Sequence, residues 1–300
     1  MTRIRLVLLT LLMAIALPAA PRAEVRMGES VFSPVLGRAL SYDIYLPPGS
    51  EGGGRDYPVL YLLHGGGTGQ PSDWFTLAGV DQVLDRLIAE GRIRPLIAVA
   101  PDGRRPDDGP ASYFLDDADG AARWQTAFLE DVMPAIEARH PVLPDRRAVM
   151  GISMGGFAAL VYRLDHPDLF TGAAALSPAL RTDEQLMALS PDDYADRFAT
   201  LLGPGLAGTA RLTDRWNGFS PAAMAAGASS LSRIPSIYVD TGSDDSFFEG
   251  TAQLHIALRN AGIRHRFRVT EGGHDWPAWR AMLEGALLHV DAVLSRDYGE

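Results

Sequence analysis

The residues with the clearest chemical potential lie in the segment Gly151-Ile152-Ser153-Met154-Gly155, which has the pattern Gly-x-Ser-x-Gly. In this pattern a serine stands at a sharp turn between a strand and a helix, and small flanking residues let the two backbones approach closely. The helix N-terminus offers N–H groups to developing negative charge. A glycine-rich turn with an idle serine could share the pattern, but its position between a buried strand and a helix favours Ser153 as a nucleophile.

A serine hydroxyl is a weak nucleophile at neutral pH and needs a base that takes its proton during attack. The best candidate is His274, which lies in the loop after the last predicted strand, at the end of the sheet where Ser153 must also lie. Structural roles in or beside helices and strands suit five other histidines better: His140, His166, His255, His265 and His289.

The third residue needed is a carboxylate that orients the imidazole and stabilises its protonated form. The segment after the preceding predicted strand contains Asp240, Asp244 and Asp245. Asp240 is expected to end the strand, so the loop residues Asp244 and Asp245 are the candidates, and their spacing alone does not separate them. The chain order serine, acid, histidine is that of α/β-hydrolases.

Two backbone N–H groups usually hold the oxyanion that forms during ester cleavage. Met154, directly after the nucleophile, is expected to supply one. The segment His64-Gly65-Gly66-Gly67 matches the glycine-rich oxyanion motif. Gly66 is the first choice for the second donor and Gly67 the next, while His64 is expected to order the loop.

Short apolar runs alternate with segments of helical period, which predicts an α/β fold with a mostly parallel central sheet and helices on both faces. Strands are predicted at 38–46, 58–63, 96–100, 148–152, 173–176, 236–240 and 267–270. Helices are predicted at 80–90, 121–136, 157–164, 251–260 and 278–294. Residues 181–233 break the alternation and are interpreted as a helical insertion that caps the active-site end of the sheet.

The first 23 residues have the layout of a secretory signal peptide: a basic start, an apolar run and a small-residue stretch. An uncleaved membrane anchor is the alternative, but the apolar run is shorter than the roughly 20 residues that a spanning helix needs. No linker is evident in the remaining residues 24–300, so one catalytic domain is expected. We therefore predict export to a periplasm or out of the cell.

The composition excludes several classes of function. The chain of 300 residues contains no cysteine, so disulfides, a thiol nucleophile and cysteine-held metals are ruled out. No histidine and acid spacing typical of a metal site is present. The formal charge of −10 disfavours nucleic acid as a partner and a polybasic mode of membrane binding.

The combined motifs resemble the esterase branch of the α/β-hydrolases, which includes S-formylglutathione hydrolase, feruloyl and acetyl xylan esterases, and the mycolyltransferases. The resemblance runs from about residue 40 to 294. Its motifs are Leu62-Leu-His-Gly65, Gly-Ile-Ser-Met-Gly-Gly, His166-Pro-Asp-Leu-Phe170, Gly242-Ser-Asp-Asp245 and Gly-Gly-His-Asp-Trp.

The resemblance implies ester hydrolysis through an acyl-enzyme, with no metal or organic cofactor, and it points to Asp245 rather than Asp244. The absence of cysteine and the predicted signal peptide depart from the formylglutathione branch and disfavour its cytosolic role. The expected partner is a small-molecule or glycan-linked ester. Aromatic candidates for the pocket are Trp74, Tyr113, Phe114, Trp216, Phe247, Phe248 and Trp276.

Three functions fit these residues. The first is an exported serine carboxylesterase. The second is an acyltransferase that passes the same acyl group to an alcohol instead of water. The third is a non-catalytic binding protein on a hydrolase fold, against which the intact set of serine, acid and histidine weighs.

Overall fold

The computed structural model describes residues 22–50, 53, 55–106, 109–227 and 236–295. The signal peptide expected in residues 1–23 therefore lies almost wholly outside the described residues. The eight strands of the central sheet are β1 (Glu24–Ser33), β2 (Arg38–Leu46), β3 (Tyr57–Leu63), β4 (Ile97–Pro101), β5 (Val142–Ile152), β6 (Gly172–Leu176), β7 (Ser236–Gly242) and β8 (His265–Thr270).

The strand order across the sheet is β1-β2-β4-β3-β5-β6-β7-β8. Strands β3 to β8 pair in parallel, whereas β1 and β2 form an antiparallel hairpin, and β2 pairs antiparallel with β4. The predicted α/β fold with a mostly parallel sheet is confirmed. Because parallel strands end at the same edge, the loops after β5, β7 and β8 lie side by side.

Helices connect the strands and cover the sheet. They are α1 (Asp73–Thr76), α2 (Val80–Ala89), α3 (Trp124–Ala127), α4 (Met133–Glu137), α5 (Met154–Asp165), α6 (Asp183–Met187), α7 (Pro191–Arg197), α8 (Ala199–Leu202), α9 (Asp214–Phe219), α10 (Pro221–Gly227), α11 (Phe248–Asn260) and α12 (Trp276–Leu294). A π-helical turn, Phe128–Val132, joins α3 to α4. Helices α6 to α10 form the segment predicted as an insertion, of which the structure describes residues 181–227.

The core has one layer on each face of the sheet, as the pleat of the strands requires. Along β3, Val59 and Tyr61 pack on the side of α5, while Leu60 and Leu62 pack on the side of α2 and α12. All four side chains are fully buried. This burial on both faces explains why β3 is a continuous apolar run and fixes the loops at its end.

Strand β1 was not predicted from the sequence. It lies at the sheet edge with many exposed residues, and its pairing with β2 is irregular between Arg26 and Glu29, where Gly28 has a φ of +73°. This bulge interrupts the apolar alternation by which a half-buried strand is recognised. Strand β5 is also longer than predicted, because its first half is only partly buried and carries polar residues.

Candidate active site

Ser153 lies in the turn between β5 and α5, with a φ of +54° and a ψ of −114°. A Cβ on Gly151 would lie 2.0 Å from the Gly155 carbonyl oxygen. A Cβ on Gly155 would lie 2.1 Å from the carbonyl oxygen of Leu63. A side chain at position 151 would therefore force β5 and α5 apart, and one at position 155 would force α5 away from the end of β3. These close approaches are the physical reason for glycine on both sides of the serine.

The structure brings together three residues that the sequence analysis selected. Nε2 of His274 lies 2.8 Å from Oγ of Ser153, and Nδ1 of His274 lies 2.9 Å from Oδ2 of Asp245. Both contacts have hydrogen-bond length. The side chain of His274 is one quarter exposed, so one face of the ring is open to the cavity described below. The arrangement can pass a proton from the hydroxyl to the imidazole.

The two candidate acids have different environments. Asp245 is 4% exposed, and its second carboxylate oxygen accepts a hydrogen bond of 2.8 Å from the N–H of Phe247. Asp244 is exposed, and its carboxylate accepts a hydrogen bond from the Ser243 hydroxyl. Asp240 is a buried residue within β7, where its carboxylate accepts hydrogen bonds from the hydroxyls of Tyr238 and Thr270. Only Asp245 contacts His274 among these three aspartates.

The environment of Asp245 favours its ionised form. Burial pushes the pKa of this carboxyl up, but the hydrogen bonds from His274 and the Phe247 N–H oppose burial, and the pKa lies below its usual value. An ionised Asp245 fixes the tautomer of the imidazole, because it accepts the proton on Nδ1. Nε2 of His274 is then left to accept the proton of Ser153.

The glycine-rich loop after β3 lies against the start of α5. A Cβ on Gly65 would lie 3.8 Å from the Cβ of Ser153, and one on Gly66 would lie 3.6 Å from the Cβ of Met154. Gly66 thus lies against the side chain of Met154, and these are the two residues predicted to supply the N–H groups. Gly67 has a φ of +63°, which glycine adopts without strain.

His64 connects this loop to the loop after β4. Its Nε2 accepts a hydrogen bond of 2.9 Å from the N–H of Gly103, so Nδ1 carries the proton and donates to the carbonyl of Gly65 at 2.7 Å. The ring is 1% exposed and packs edge-on against Phe114 at 5.0 Å. His64 therefore holds the glycine-rich loop from behind and does not contact Ser153.

A cavity of about 750 Å³ opens beside Ser153 and His274. Three of the seven aromatic candidates line it: Tyr113, Phe247 and Trp276. Three others are fully buried core residues, which makes the expectation of a pocket role wrong for Trp74, Phe114 and Trp216. Phe248, the last candidate, is the first residue of α11 and is not part of the lining.

Trp279 lines the same cavity and was missed by the sequence analysis. The centroid of its ring lies 5.0 Å from the centroid of the His274 ring, in an edge-to-face arrangement. The ring of Phe247 contacts His274 with the same geometry, at a centroid distance of 4.9 Å. The two aromatic rings thus restrict the orientation of the imidazole. The sequence does contain a signal for this position of Trp279. Asp275 caps the N-terminus of α12, which places Trp279 near the start of that helix, next to the His274 loop.

The insertion also reaches the cavity. Asp196 and Arg197, at the end of α7, line it together with residues of the sheet edge. Phe198 stacks on Tyr113 with ring centroids 5.3 Å apart. The guanidinium carbon of Arg181 lies over the rings of Phe198 and Phe247, 5.3 and 4.7 Å from their centroids. The insertion therefore shapes one side of the cavity.

A metal-binding cluster of side chains and a membrane-spanning helix are both absent from the part of the chain that the structure describes. No cluster of three or more histidine, cysteine or acidic side chains that could hold a metal occurs there. None of the helices it contains is long and apolar enough to cross a membrane.

A mostly parallel eight-stranded sheet, with a serine at a strand-to-helix turn and an acid and a histidine in later loops, is the arrangement of the α/β-hydrolase fold class, which includes serine hydrolases. The chain belongs to the esterase family whose sequence model, described as "Putative esterase", matches residues 33–290.

Individual relatives agree with this family. An esterase of Mycobacterium tuberculosis is 32% identical over 255 residues, which cover 77% of this chain and 52% of that protein. The chain thus spans about half the length of that relative. An acetyl esterase of Caldicellulosiruptor saccharolyticus is 29% identical over 252 residues, covering 78% of this chain and 84% of the relative. A solved ferulic acid esterase structure is 28% identical, with a TM-score of 0.74 over 91% of this chain and 99% of its own.

Proposed function

We propose that the protein is an exported serine carboxylesterase that cleaves carboxylic esters through an acyl-enzyme on Ser153. The observation that carries the proposal is the continuous hydrogen-bonded path from Ser153 through His274 to Asp245, with contacts of 2.8 and 2.9 Å. Membership of the esterase family supports the choice of carboxylic esters over other acyl compounds.

In the first half of the reaction, Oγ of Ser153 attacks the ester carbonyl carbon while Nε2 of His274 takes the hydroxyl proton. Asp245 stabilises the imidazolium that forms. The carbonyl oxygen becomes an oxyanion, for which the N–H groups of Met154 and Gly66 are the predicted donors. When the tetrahedral intermediate collapses, the ester C–O bond breaks, and the alcohol leaves with the proton from His274.

In the second half, a water molecule attacks the acyl group on Ser153 and gives a proton to His274. Collapse of this second intermediate releases the carboxylic acid and returns the proton to Oγ of Ser153. The reaction needs no redox partner, because every proton is passed between the hydroxyl, the imidazole, water and the leaving alcohol.

The cavity supports a substrate with a planar or ring-shaped group next to the ester. Its described lining combines the aromatic rings of four residues with polar side chains, a composition common in small-molecule sites. The aromatic residues are Tyr113, Phe247, Trp276 and Trp279. Since His274 protonates the leaving alcohol, the alcohol group is expected on the side of Phe247 and Trp279, which both contact that histidine.

The test is hydrolysis of p-nitrophenyl acetate, butyrate and octanoate, and of methyl ferulate, by the wild type and by Ser153→Ala. We expect hydrolysis of at least one ester, with a loss in kcat of about 10⁴-fold or more in the variant. A folded wild type that cleaves none of them would contradict the proposal. Added glycerol or a sugar alcohol identifies an acyltransferase if the new ester forms faster than the free acid.

Export is part of the proposal and rests on residues 1–23 alone. Expression of the full chain in a Gram-negative bacterium, followed by fractionation, tests it. Mature protein in the periplasm or medium is expected, with an N-terminus near residue 24. Uncleaved protein in the membrane fraction would identify an anchor instead.

A further inference from the structure

Arg181, at the start of the insertion, has a positive charge that the described residues do not neutralise directly. Its guanidinium carbon lies over the rings of Phe198 and Phe247, 5.3 and 4.7 Å from their centroids. Within the described part of the chain, its side chain makes no hydrogen bond and no ion pair, and its Nη1 is buried without a partner. Two aromatic rings therefore hold this cation in place, and no carboxylate is paired with it.

Two other partly buried arginines have the usual arrangement. Arg105 is paired with Asp117, and Arg147 is paired with Glu137. The chain has 37 acidic and 27 basic residues, so carboxylates are more numerous than cations. A charge that is partly removed from water is costly without a partner, and contacts with aromatic rings offset only part of that cost. Arg181 is therefore available to an anionic ligand.

Arg181 lines a second cavity, of about 440 Å³, next to the cavity beside Ser153. The two cavities share three lining residues, which are Arg197, Ser246 and Phe247. A substrate bound at Ser153 can therefore extend from the first cavity toward the second.

The lining of the second cavity has a net positive charge, although the whole chain has a formal charge of −10. Its charged residues are Arg181, Arg197 and Asp193. The carboxylate of Asp193 accepts hydrogen bonds from the Ser190 hydroxyl at 2.7 Å and from Arg197 at 3.5 Å. Asp193 thus compensates the charge of Arg197, whereas the charge of Arg181 has no paired acid.

The ring of Phe247 connects Arg181 to the catalytic residues. It contacts the guanidinium of Arg181 and also the imidazole of His274. Since His274 protonates the leaving alcohol, the alcohol portion of the ester is expected on this side of the site. A charged group on that alcohol would therefore lie closer to Arg181 than a charged group on the acyl portion.

Resting on the proposed function, we propose that the second cavity is a subsite for a carboxylate on the alcohol portion of the ester, with Arg181 as its main determinant. The substrate class is an ester of a carboxylate-bearing alcohol, such as an acylated hydroxy acid or uronic acid. A carboxylate has one negative charge and matches the single uncompensated arginine, whereas a phosphate monoester has close to two.

The geometry of the guanidinium favours this role. Its N–H groups lie in its plane, so contacts between its carbon and aromatic rings leave those groups free to donate to a carboxylate. The rings also restrict the side chain before the ligand arrives, which lowers the entropy lost on binding. A contact with a part of the substrate that does not react increases kcat/KM.

The experiment compares phenyl acetate with 3-acetoxybenzoate, whose leaving groups have similar acidity and differ in the carboxylate. Phenyl hexanoate and the phenyl monoester of adipic acid place the same difference on the acyl side. The variants are Arg181→Gln and Arg181→Lys, with Arg259→Gln as the control. Arg259 is an exposed arginine of α11 that lines neither cavity, and its replacement changes the net charge equally. Thermal midpoints show which variants are folded.

We expect the wild type to prefer 3-acetoxybenzoate over phenyl acetate by about tenfold in kcat/KM, near the lower end for a hydrogen bond to a charged group. Arg181→Gln should lose this preference, while Arg181→Lys should keep most of it because the charge remains. Arg259→Gln should keep the wild-type ratio. Added salt should reduce the ratio in the wild type and leave it unchanged in Arg181→Gln.

The same ratio in the wild type and in Arg181→Gln would overturn the proposal, as would an equal loss in Arg259→Gln. A preference for the carboxylate in the acyl pair alone would also overturn it. If Arg181→Gln does not fold, a wild-type ratio that does not respond to salt has the same meaning.

Binding without turnover separates this proposal from the proposed function. Calorimetry measures the affinity of 3-acetoxybenzoate for Ser153→Ala and for the double variant that also contains Arg181→Gln. We expect binding about tenfold weaker in the double variant, and this result would support the subsite even if the wild type cleaves no ester. Equal affinities, or no binding to Ser153→Ala, would overturn the subsite, while hydrolysis of phenyl acetate would still support the proposed function.

Discussion

Nε2 of His274 lies 2.8 Å from Oγ of Ser153, although the two residues are 121 positions apart in the chain. The contact follows from the sheet order, in which β5, β6, β7 and β8 are parallel neighbours. Their C-terminal ends lie at one edge, so the turn after β5 and the loop after β8 meet at that edge. The residues of the site are thus held by separate connections of a rigid sheet, a geometry that a single loop could not maintain as accurately.

The two adjacent aspartates after β7 provide a direct test of the acid. Asp245→Asn should lower kcat about 10³- to 10⁴-fold, because an amide cannot stabilise the imidazolium and favours the wrong tautomer of His274. Asp244→Asn should keep kcat within about twofold, since Asp244 is exposed and does not contact the histidine. Steady-state kinetics on one p-nitrophenyl ester measure both. The reverse pattern would assign the role to Asp244.

Replacement of His64 tests whether its hydrogen bonds are needed to fix the position of the glycine-rich loop. His64→Ala removes the contacts with Gly65 and Gly103, so the loop next to Met154 should lose its fixed position. We expect kcat to fall about tenfold or more with a smaller change in KM, because the oxyanion contact forms only in the transition state. His166→Ala, outside the cavity lining, is the control. Unchanged kcat in a folded His64→Ala variant would contradict this role.

Glycine at the nucleophile turn should be required for stability. Gly151→Ala places a Cβ 2.0 Å from the carbonyl oxygen of Gly155, so the free energy of unfolding should fall by about 3 kcal/mol. Gly218→Ala is the comparison, because Gly218 lies in α9 with no atom within 4 Å of the added Cβ. It should raise the free energy of unfolding by about 0.5–1 kcal/mol. Urea unfolding measures both changes, and equal stability of the two variants would contradict the close approach at the turn.

Substitutions of Trp276 and Trp279 should have different effects on substrate binding and on catalysis. Both line the cavity, but only Trp279 contacts the ring of His274. Trp276→Ala should raise KM for an aryl ester several-fold, about the effect of 1 kcal/mol, with little change in kcat. Trp279→Ala should raise KM and also lower kcat. Identical kinetic changes in both variants would mean that the contact with His274 does not affect its orientation.

The sequence identifies the parts of this site that chemistry constrains most tightly. Ser153 is recognisable because glycine must flank a turn in which a Cβ would collide with backbone. His274 follows from chain order and from its loop at the end of the sheet. The buried strands are recognisable because residues such as Leu60 and Tyr61 are apolar on both faces.

Features that depend on packing between distant segments are not predictable in this way. Aromatic residues are common in substrate pockets, yet tertiary packing places Trp74, Phe114 and Trp216 in the core. Trp279, in contrast, is brought into contact with His274 by the direction of α12. The spacing of Asp244 and Asp245 does not distinguish them either. Their difference comes from the turn after β7, which buries one carboxylate and exposes the other.

Activation of Ser153 by His274 is tested by labelling the folded protein with a fluorophosphonate, followed by intact mass and peptide mapping. We expect one adduct on Ser153, no adduct in Ser153→Ala, and labelling slowed by about 10³-fold or more in His274→Ala. An adduct on another residue, or equal labelling rates in the wild type and His274→Ala, would contradict activation of Ser153 by His274.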